Sequence, residues 1–253
     1  MTLPGNCIVN LKNLAVPECC LVIGAGSAIG QAILEQLSGA GCRHLLTAGR
    51  GEGEVSDHCR LNLTSSDSVA VLSTFLKQKR MEGIVPSWCF HCSGILHDGE
   101  YFPEKGLSSI KGEWLMKSME VNVLSHVHAA QAVSSVISPT HPIRWASLSA
   151  MVGSIADNRV GGWHSYRMSK AALNMFIRGL DIEWRRKHRE NRVVAIHPGA
   201  TESELSRPFR QGLPPGRPFS AELTAQRMIQ IMANLQEEQS GHLLHWDGSP
   251  LPF

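Results

Sequence analysis

The apolar run Cys19-Cys20-Leu21-Val22-Ile23 passes directly into Gly24-Ala25-Gly26-Ser27-Ala28-Ile29-Gly30, and apolar residues then recur at helical spacing from Ile29 to Leu37. A buried strand, a tight glycine turn and an amphipathic helix in that order leave few architectures open. The same alternation continues along the chain. His44 to Ala48 reads as a second strand, stopped by Gly49-Arg50-Gly51, and Ser65 to Lys79 as a helix opened by Ser/Asp capping chemistry. Ser87 to Cys92 is strand-like up to the turn at Ser93-Gly94. Glu113 to Ile137 reads as one long helix ended by Pro139 and Pro142. Ile143 to Leu148 returns to strand, Tyr166 to Lys187 to helix, and Arg192 to His197 to strand before Pro198-Gly199. This rhythm predicts an α/β fold, a doubly wound parallel sheet covered by helices. Ligands of such sheets bind beyond the carboxyl ends of the strands, so functional residues are expected there.

Composition supports one such unit over residues 1–253. Hydrophobic residues make up 43% and charged residues 18%, enough apolar material for a single large core. No repeat, low-complexity tract or linker divides the chain. With 24 Lys+Arg against 22 Asp+Glu, there is no electrostatic footprint for nucleic acid or an anionic membrane. No apolar run is long enough for a spanning helix, and the N-terminus lacks the pattern of a signal peptide. Seven scattered cysteines, Cys7 among them, fit reduced thiols and a cytoplasmic location better than a disulfide framework.

The segment from Gly24 to Gly30 suits a phosphate-bearing ligand. Glycine allows the tight turn and close backbone approach, and the helix N-terminus offers its N–H groups and dipole to an anion. Gly24, Gly26, Ser27, Ala28, Ile29 and Gly30 are therefore candidate cofactor-binding residues, although three residues, not two, separate Gly26 from Gly30. At the end of the second strand stands Arg50 in place of a carboxylate. An arginine there accommodates a 2′-phosphate, which favours NADP(H) over NAD(H).

Tyr166 and Lys170 are four residues apart in Ser165-Tyr166-Arg167-Met168-Ser169-Lys170, so on a helix they share a face. A phenol is a poor acid or base at neutral pH, and a nearby ammonium favours the phenolate. The pair therefore suits proton transfer at a carbonyl oxygen.

Taken together, these motifs resemble the short-chain dehydrogenase/reductase family from about Cys19 to the C-terminus. The glycine turn matches T-G-x-x-x-G-x-G at Gly24 and Gly30, Tyr166 and Lys170 match Y-x-x-x-K, and Pro198-Gly199 matches the family's P-G turn. Asn122 matches the asparagine of the long central helix. The stretches Gly153 to Arg167 and His197 to Phe209 are similar to the C-factor and sniffer-type carbonyl reductase branch. The resemblance implies a Rossmann-type single domain, with a nucleotide-binding half at about 18–142 and a catalytic and substrate half at about 143–253. It implies that Tyr166 is the general acid/base, that Lys170 lowers its pKa and holds the cofactor ribose, and that Asn122 holds a water in the proton relay. Ser203 takes the place of the threonine that contacts the cofactor amide, beside Pro198, Gly199 and Thr201. Asn62 replaces the usual aspartate, and Leu63 lines the adenine pocket. A small-molecule carbonyl or alcohol substrate and a homodimer or homotetramer are implied as well.

Three departures stand out. The family's N-N-A-G motif is His91-Cys92-Ser93-Gly94, which leaves Ser93 and Gly94 as its cofactor-side residues. The middle glycine of the nucleotide turn is Ala28. The serine that polarises the carbonyl falls on Ala150, with Ser149 just before it. Ser149 is the candidate for that role, but one step along a strand turns a side chain to the other face; Ser147 and Ser154 are weaker substitutes. A catalytically impaired nucleotide-binding signalling or scaffold protein of the same fold is the alternative.

Cys89 and Cys92 form a C-x-x-C that reads as strand, with its sulfurs on opposite faces and too far apart for a disulfide. His126 and His128 are two apart on a helix and face different ways, so no metal site is assigned. Trp163, Met151, Phe209 and His97 are candidates to border a substrate pocket, and the Gly/Pro-rich loop from Phe209 to Pro218 is a candidate cover.

Overall fold

The computed structural model describes residues 14–253 except 52, 54, 139, 212 and 215, so Cys7 and parts of the loop at 209–218 lie outside the described residues. One eight-stranded sheet in the order β3-β2-β1-β4-β5-β6-β7-β8 forms the centre. Its strands are β1 (Cys19–Ile23), β2 (His44–Gly49), β3 (His58–Arg60), β4 (Trp88–His91), β5 (Arg144–Leu148), β6 (Arg192–Ile196), β7 (Leu243–Leu244) and β8 (Pro250–Leu251). All neighbours are parallel except β7 and β8. The doubly wound α/β sheet expected from the sequence is therefore the observed fold.

Period-two alternation sorts each strand between two helical layers. Leu21, Ile23, Cys89, Trp145 and Val193 face α2 (Ser68–Met81), α4 (Ser125–Ser134) and α5 (His164–Lys187). Cys20, Val22, Phe90, Ala146 and Val194 face α1 (Ala28–Gly39) and α6 (Ala221–Ala233). Each fully buried aliphatic or aromatic side chain contributes about 1.5–3 kcal/mol, so the two layers hold the sheet rigid beneath its loops. Cys89 and Cys92 belong to opposite layers, as the strand reading required.

The long helix expected from Glu113 to Ile137 is divided. An α-helical segment α3 (Gly112–Met119) leads into a π-helical turn over Glu120–Leu124, and α4 follows. Asn122 lies in that turn, and its side chain bonds to the backbone of another segment. A wide turn of this kind is a known accommodation at functional sites. The helix expected from Ser65 begins at Ser68 instead, because Ser65 and Asp67 bond each other in the preceding turn.

Candidate active site

Parallel pairing brings the ends of β1, β2, β4, β5 and β6 to one edge, so Gly24, Arg50, Ser93, Ser149 and Pro198 converge although they are far apart in sequence. The glycine turn is held from both sides. Gly24 N–H donates to Ala48 O at 2.9 Å, and Ser27 caps α1 by accepting from Gly30 N at 3.1 Å while its hydroxyl donates to Gly24 O at 2.9 Å. A methyl group on Gly24 (φ +74°) would stand 2.5 Å from Ser93 Oγ, and one on Gly30 would stand 2.6 Å from Gly24 O. Gly26 differs: nothing lies within 4 Å of its Cβ direction, and it is exposed. Ala28 and Ile29 open the first turn of α1, half-buried, where N–H groups have no intrahelical acceptor. An anionic phosphate fits this cradle: open at Gly26, closed beneath Gly24 and Gly30. Arg50 is exposed directly after β2, two residues beyond the carbonyl that holds Gly24.

Deeper along the edge, Tyr166 sits half-buried in the first turns of α5, with Lys170 buried one turn on. Lys170 Nζ lies 5.7 Å from the Tyr166 ring centroid and donates to Leu148 O at 2.8 Å. Asn122 is fully buried, its Oδ1 accepting from Ile95 N at 2.7 Å and its Nδ2 donating to Ile95 O at 2.9 Å and Ser169 Oγ at 3.0 Å. A methyl group on Gly94 would stand 3.3 Å from Asn122 Oδ1 and 3.5 Å from Lys170 Nζ, so these three residues form one floor. Burial pushes the Tyr166 phenol above its ordinary value and draws Lys170 down to about 7. Desolvation alone sets the direction of the Tyr166 shift, opposite to the lowering by Lys170 expected from the spacing.

Ser149 is buried, and its hydroxyl donates to Asn174 Oδ1 at 2.7 Å, one turn beyond Lys170 on α5. Ser147 is bound by Trp145 Nε1 and His126 Nδ1, and Ser154 accepts from Asp157 N. No hydrogen bond joins any of the three to Tyr166 among the described residues. His91, in the altered N-N-A-G segment, stacks on His126 with ring centroids 3.6 Å apart. Burial draws His91 down to about 3 and His126 well below its ordinary value.

The remaining candidates spread along the same edge. Asn62 is exposed and its Oδ1 accepts from Thr64 N and Oγ1, while Leu63 is buried in the core and its carbonyl meets His128 Nδ1 at 2.8 Å. Gly199 (φ +79°) packs beneath Phe219 and Trp246 behind half-buried Pro198. Thr201 Oγ1 shares a 2.9 Å bond with Thr224 Oγ1, and Ser203 is tied to Thr201 O and Ser206.

One carboxylate had no signal in the sequence. Glu104, 61 residues upstream, is buried and accepts from the Ser165 backbone at 3.2 Å and from its hydroxyl, while its own carbonyl accepts from Trp163 N at 2.6 Å. These bonds fix the start of α5 and hold Trp163 at φ +50°, a left-handed conformation rare for a bulky side chain. Trp163 meets Tyr166 edge-on at 6.4 Å and Phe209 at 5.2 Å.

Among known proteins, a family model described as enoyl-(acyl carrier protein) reductase matches residues 24–239, from the glycine turn past α6. The chain belongs to the short-chain dehydrogenase/reductase family. This is a family of nicotinamide-dependent oxidoreductases, and its members act on carbonyl or alcohol groups. A 1-hydroxy-2-glutathionyl-2-methyl-3-butene dehydrogenase of Rhodococcus sp. (strain AD45) is 28% identical over 92% of this chain and 98% of its own. The C-signal protein of Myxococcus xanthus is 26% identical over 55% of this chain and 78% of its own. Among solved structures, the carbonyl reductase Sniffer of D. melanogaster superposes with a TM-score of 0.77 at 18% identity, covering 94% of this chain and all of that one. An NADPH-bound carbonyl reductase from chicken fatty liver gives 0.76 at 19% identity, over 94% and 99%. Among the described residues no helix is long and apolar enough to cross a membrane.

Proposed function

We propose that this protein is an NADP(H)-dependent oxidoreductase that interconverts a small-molecule carbonyl and an alcohol, with Tyr166 as general acid/base. The observation that carries the reading is the common floor of Lys170, Asn122 and Gly94 beside Tyr166, at the strand edge that also carries the phosphate cradle. The cradle of Gly24, Gly26, Ser27, Ala28, Ile29 and Gly30 holds the pyrophosphate, and Arg50 the 2′-phosphate. Asn62 and Leu63 border the adenine, Ser93, Gly94 and Lys170 the ribose, and Pro198, Gly199, Thr201 and Ser203 the nicotinamide end. When bound, the nicotinamide supplies the hydride for reduction or accepts it in oxidation.

The protein's own part is proton transfer and positioning. The Tyr166 phenol, protonated at neutral pH as an ordinary tyrosine is, donates to the substrate oxygen in the reducing direction. Lys170 in its ammonium form stabilises the phenolate that remains, and Asn122, held by Ile95 and Ser169, marks the route by which the proton is replaced. The Rhodococcus relative, named as a dehydrogenase of a hydroxy compound, supports the CH–OH/C=O class. On α5, Met168, Met175 and Ile182 recur every seven residues and are exposed, which supports a homodimer or homotetramer formed through that helix. Free buried thiols at all six described cysteines fit a reducing cytoplasm.

A second reading has its own observation. With Ala150 in the polarising serine's place and the Ser149 hydroxyl donated to Asn174, neither of these two residues offers a free hydroxyl to the carbonyl, which favours a nucleotide-binding signalling protein. Paired titrations with NADPH and NADH, following energy transfer from tryptophan, and then a panel of aldehydes and ketones, separate the readings. The enzyme reading expects NADPH to bind at least tenfold more tightly than NADH, an Arg50→Leu variant to lose that preference, and turnover of part of the panel. Binding without turnover supports the second reading.

A further inference from the structure

We propose that His97 is the polar anchor of the substrate cleft, and that its Nε2 hydrogen-bonds a second oxygen of the substrate, distinct from the oxygen that Tyr166 serves. The inference rests on the reading of Tyr166 just given and adds the class of substrate.

A continuous aromatic wall leads from Tyr166 to His97. Trp163 meets Tyr166 at 6.4 Å, Phe209 meets Trp163 at 5.2 Å, and His97 meets Phe209 edge-on at 5.8 Å. His97 also stacks on Phe102, with rings 5.5 Å apart and 4° from parallel. Trp163, Phe209, His97 and Tyr166 are each half-buried and Phe102 is 50% exposed, so the wall opens to solvent. Within it, Nε2 of His97 is buried and has no hydrogen-bond partner among the described residues.

Leaving a buried polar atom unpaired costs about 1–3 kcal/mol, and native structures pair nearly all of them. A lone polar atom set among aromatic rings suits the orientation of a small-molecule ligand. Strain points the same way, because Trp163 is held left-handed by Glu104 at the point where the wall meets Tyr166. Contact runs from Tyr166 to His97 through Trp163 and Phe209 in turn, and no direct ring contact joins Tyr166 to His97 among the described residues. The substrate class is therefore a flat carbonyl compound whose second oxygen, hydroxyl or carbonyl, lies across an aromatic spacer. Either kind suits an imidazole nitrogen, which donates or accepts according to its tautomer.

A matched pair tests this: 4-(hydroxymethyl)benzaldehyde and 4-ethylbenzaldehyde, which differ by a hydroxyl in place of a methyl group. With NADPH, the wild-type protein is expected to favour the hydroxymethyl compound at least tenfold in kcat/KM. His97→Phe keeps a ring against Phe102 and Phe209 but removes Nε2. It is expected to abolish the preference by raising KM for the hydroxymethyl compound, with its kcat within twofold and the ethyl compound within threefold. His97→Gln, which returns an amide to the site, is expected to restore part of it. Equal losses on both aldehydes, or an unchanged preference, would overturn the proposal. Equilibrium binding of the two aldehydes to NADPH-loaded Tyr166→Phe protein gives the same comparison without turnover. If the wild type turns over neither aldehyde, the binding comparison alone decides the anchor. A binding preference that depends on His97 still supports the anchor, and its absence overturns it.

Discussion

The hydroxyl of Ser149 donates to Oδ1 of Asn174 at 2.7 Å, and Asn174 Nδ2 in turn donates to Gly153 O at 3.2 Å. The serine next to Ala150 thus ties the end of β5 to α5. Its neighbours on the strand explain the direction: Trp145 packs into the α5 layer and Ala146 and Leu148 into the other, so Ser149 continues the α5-facing set.

Substitution at these two positions should separate structure from catalysis. Ser149→Ala is expected to leave turnover within about threefold and to cost roughly 1–3 kcal/mol in denaturant unfolding, because Asn174 Oδ1 loses its donor. Ala150→Ser supplies a hydroxyl where the family places one. A donor aimed at developing charge is worth roughly 100-fold or more, so an increase in kcat of at least tenfold is expected. Loss of turnover in Ser149→Ala would return the polarising role to Ser149.

The glycine turn makes a different contrast. Gly26→Ala meets open space and should leave the melting temperature within about 2 °C, since isolated surface changes are worth less than about 0.5 kcal/mol. It should nevertheless weaken NADPH binding several-fold by filling the phosphate cradle. Gly24→Ala has no such freedom, because its φ of +74° and the Ser93 backbone 2.8 Å away oppose any side chain. Calorimetry should show it markedly less stable. An unchanged NADPH affinity in Gly26→Ala would place the phosphates elsewhere.

Acid stability should report the His91–His126 stack. Both imidazoles are neutral in the fold, with His91 at about 3, whereas an unfolded histidine takes up a proton near its ordinary 6.5. Below that value the unfolded state binds more protons, so stability is full above about 6.5 and falls as pH drops toward 3. Each imidazole contributes a slope of roughly 1.4 kcal/mol per pH unit. His91→Asn removes one of them and should flatten the decline in denaturant titrations between pH 6 and 4. An identical pH dependence in the variant would show that the pair is not what responds to acid.

The sheet and most of its helices were legible because apolar runs and turn residues alternate along the chain. Features decided by distant partners were not. The period of Glu113 to Ile137 gives no sign that Asn122 reaches Ile95 and widens the helix there. Strands of two residues, β7 and β8, leave no periodic trace, and their register is set by β6. Tyr166 and Lys170 were visible from spacing, whereas Glu104 acts across 61 residues and carries no local pattern. The direction of the Tyr166 shift also depends on burial, which spacing does not report.

Proton donation by Tyr166 is tested most directly by measuring NADPH oxidation and NADPH binding on the same preparations of wild-type and Tyr166→Phe protein, with 4-(hydroxymethyl)benzaldehyde as substrate. General acid catalysis is worth roughly 100- to 10,000-fold, so the variant should lose at least two orders of magnitude in kcat while its NADPH dissociation constant stays within about threefold. Wild-type turnover retained in Tyr166→Phe, with NADPH still bound, would contradict the account.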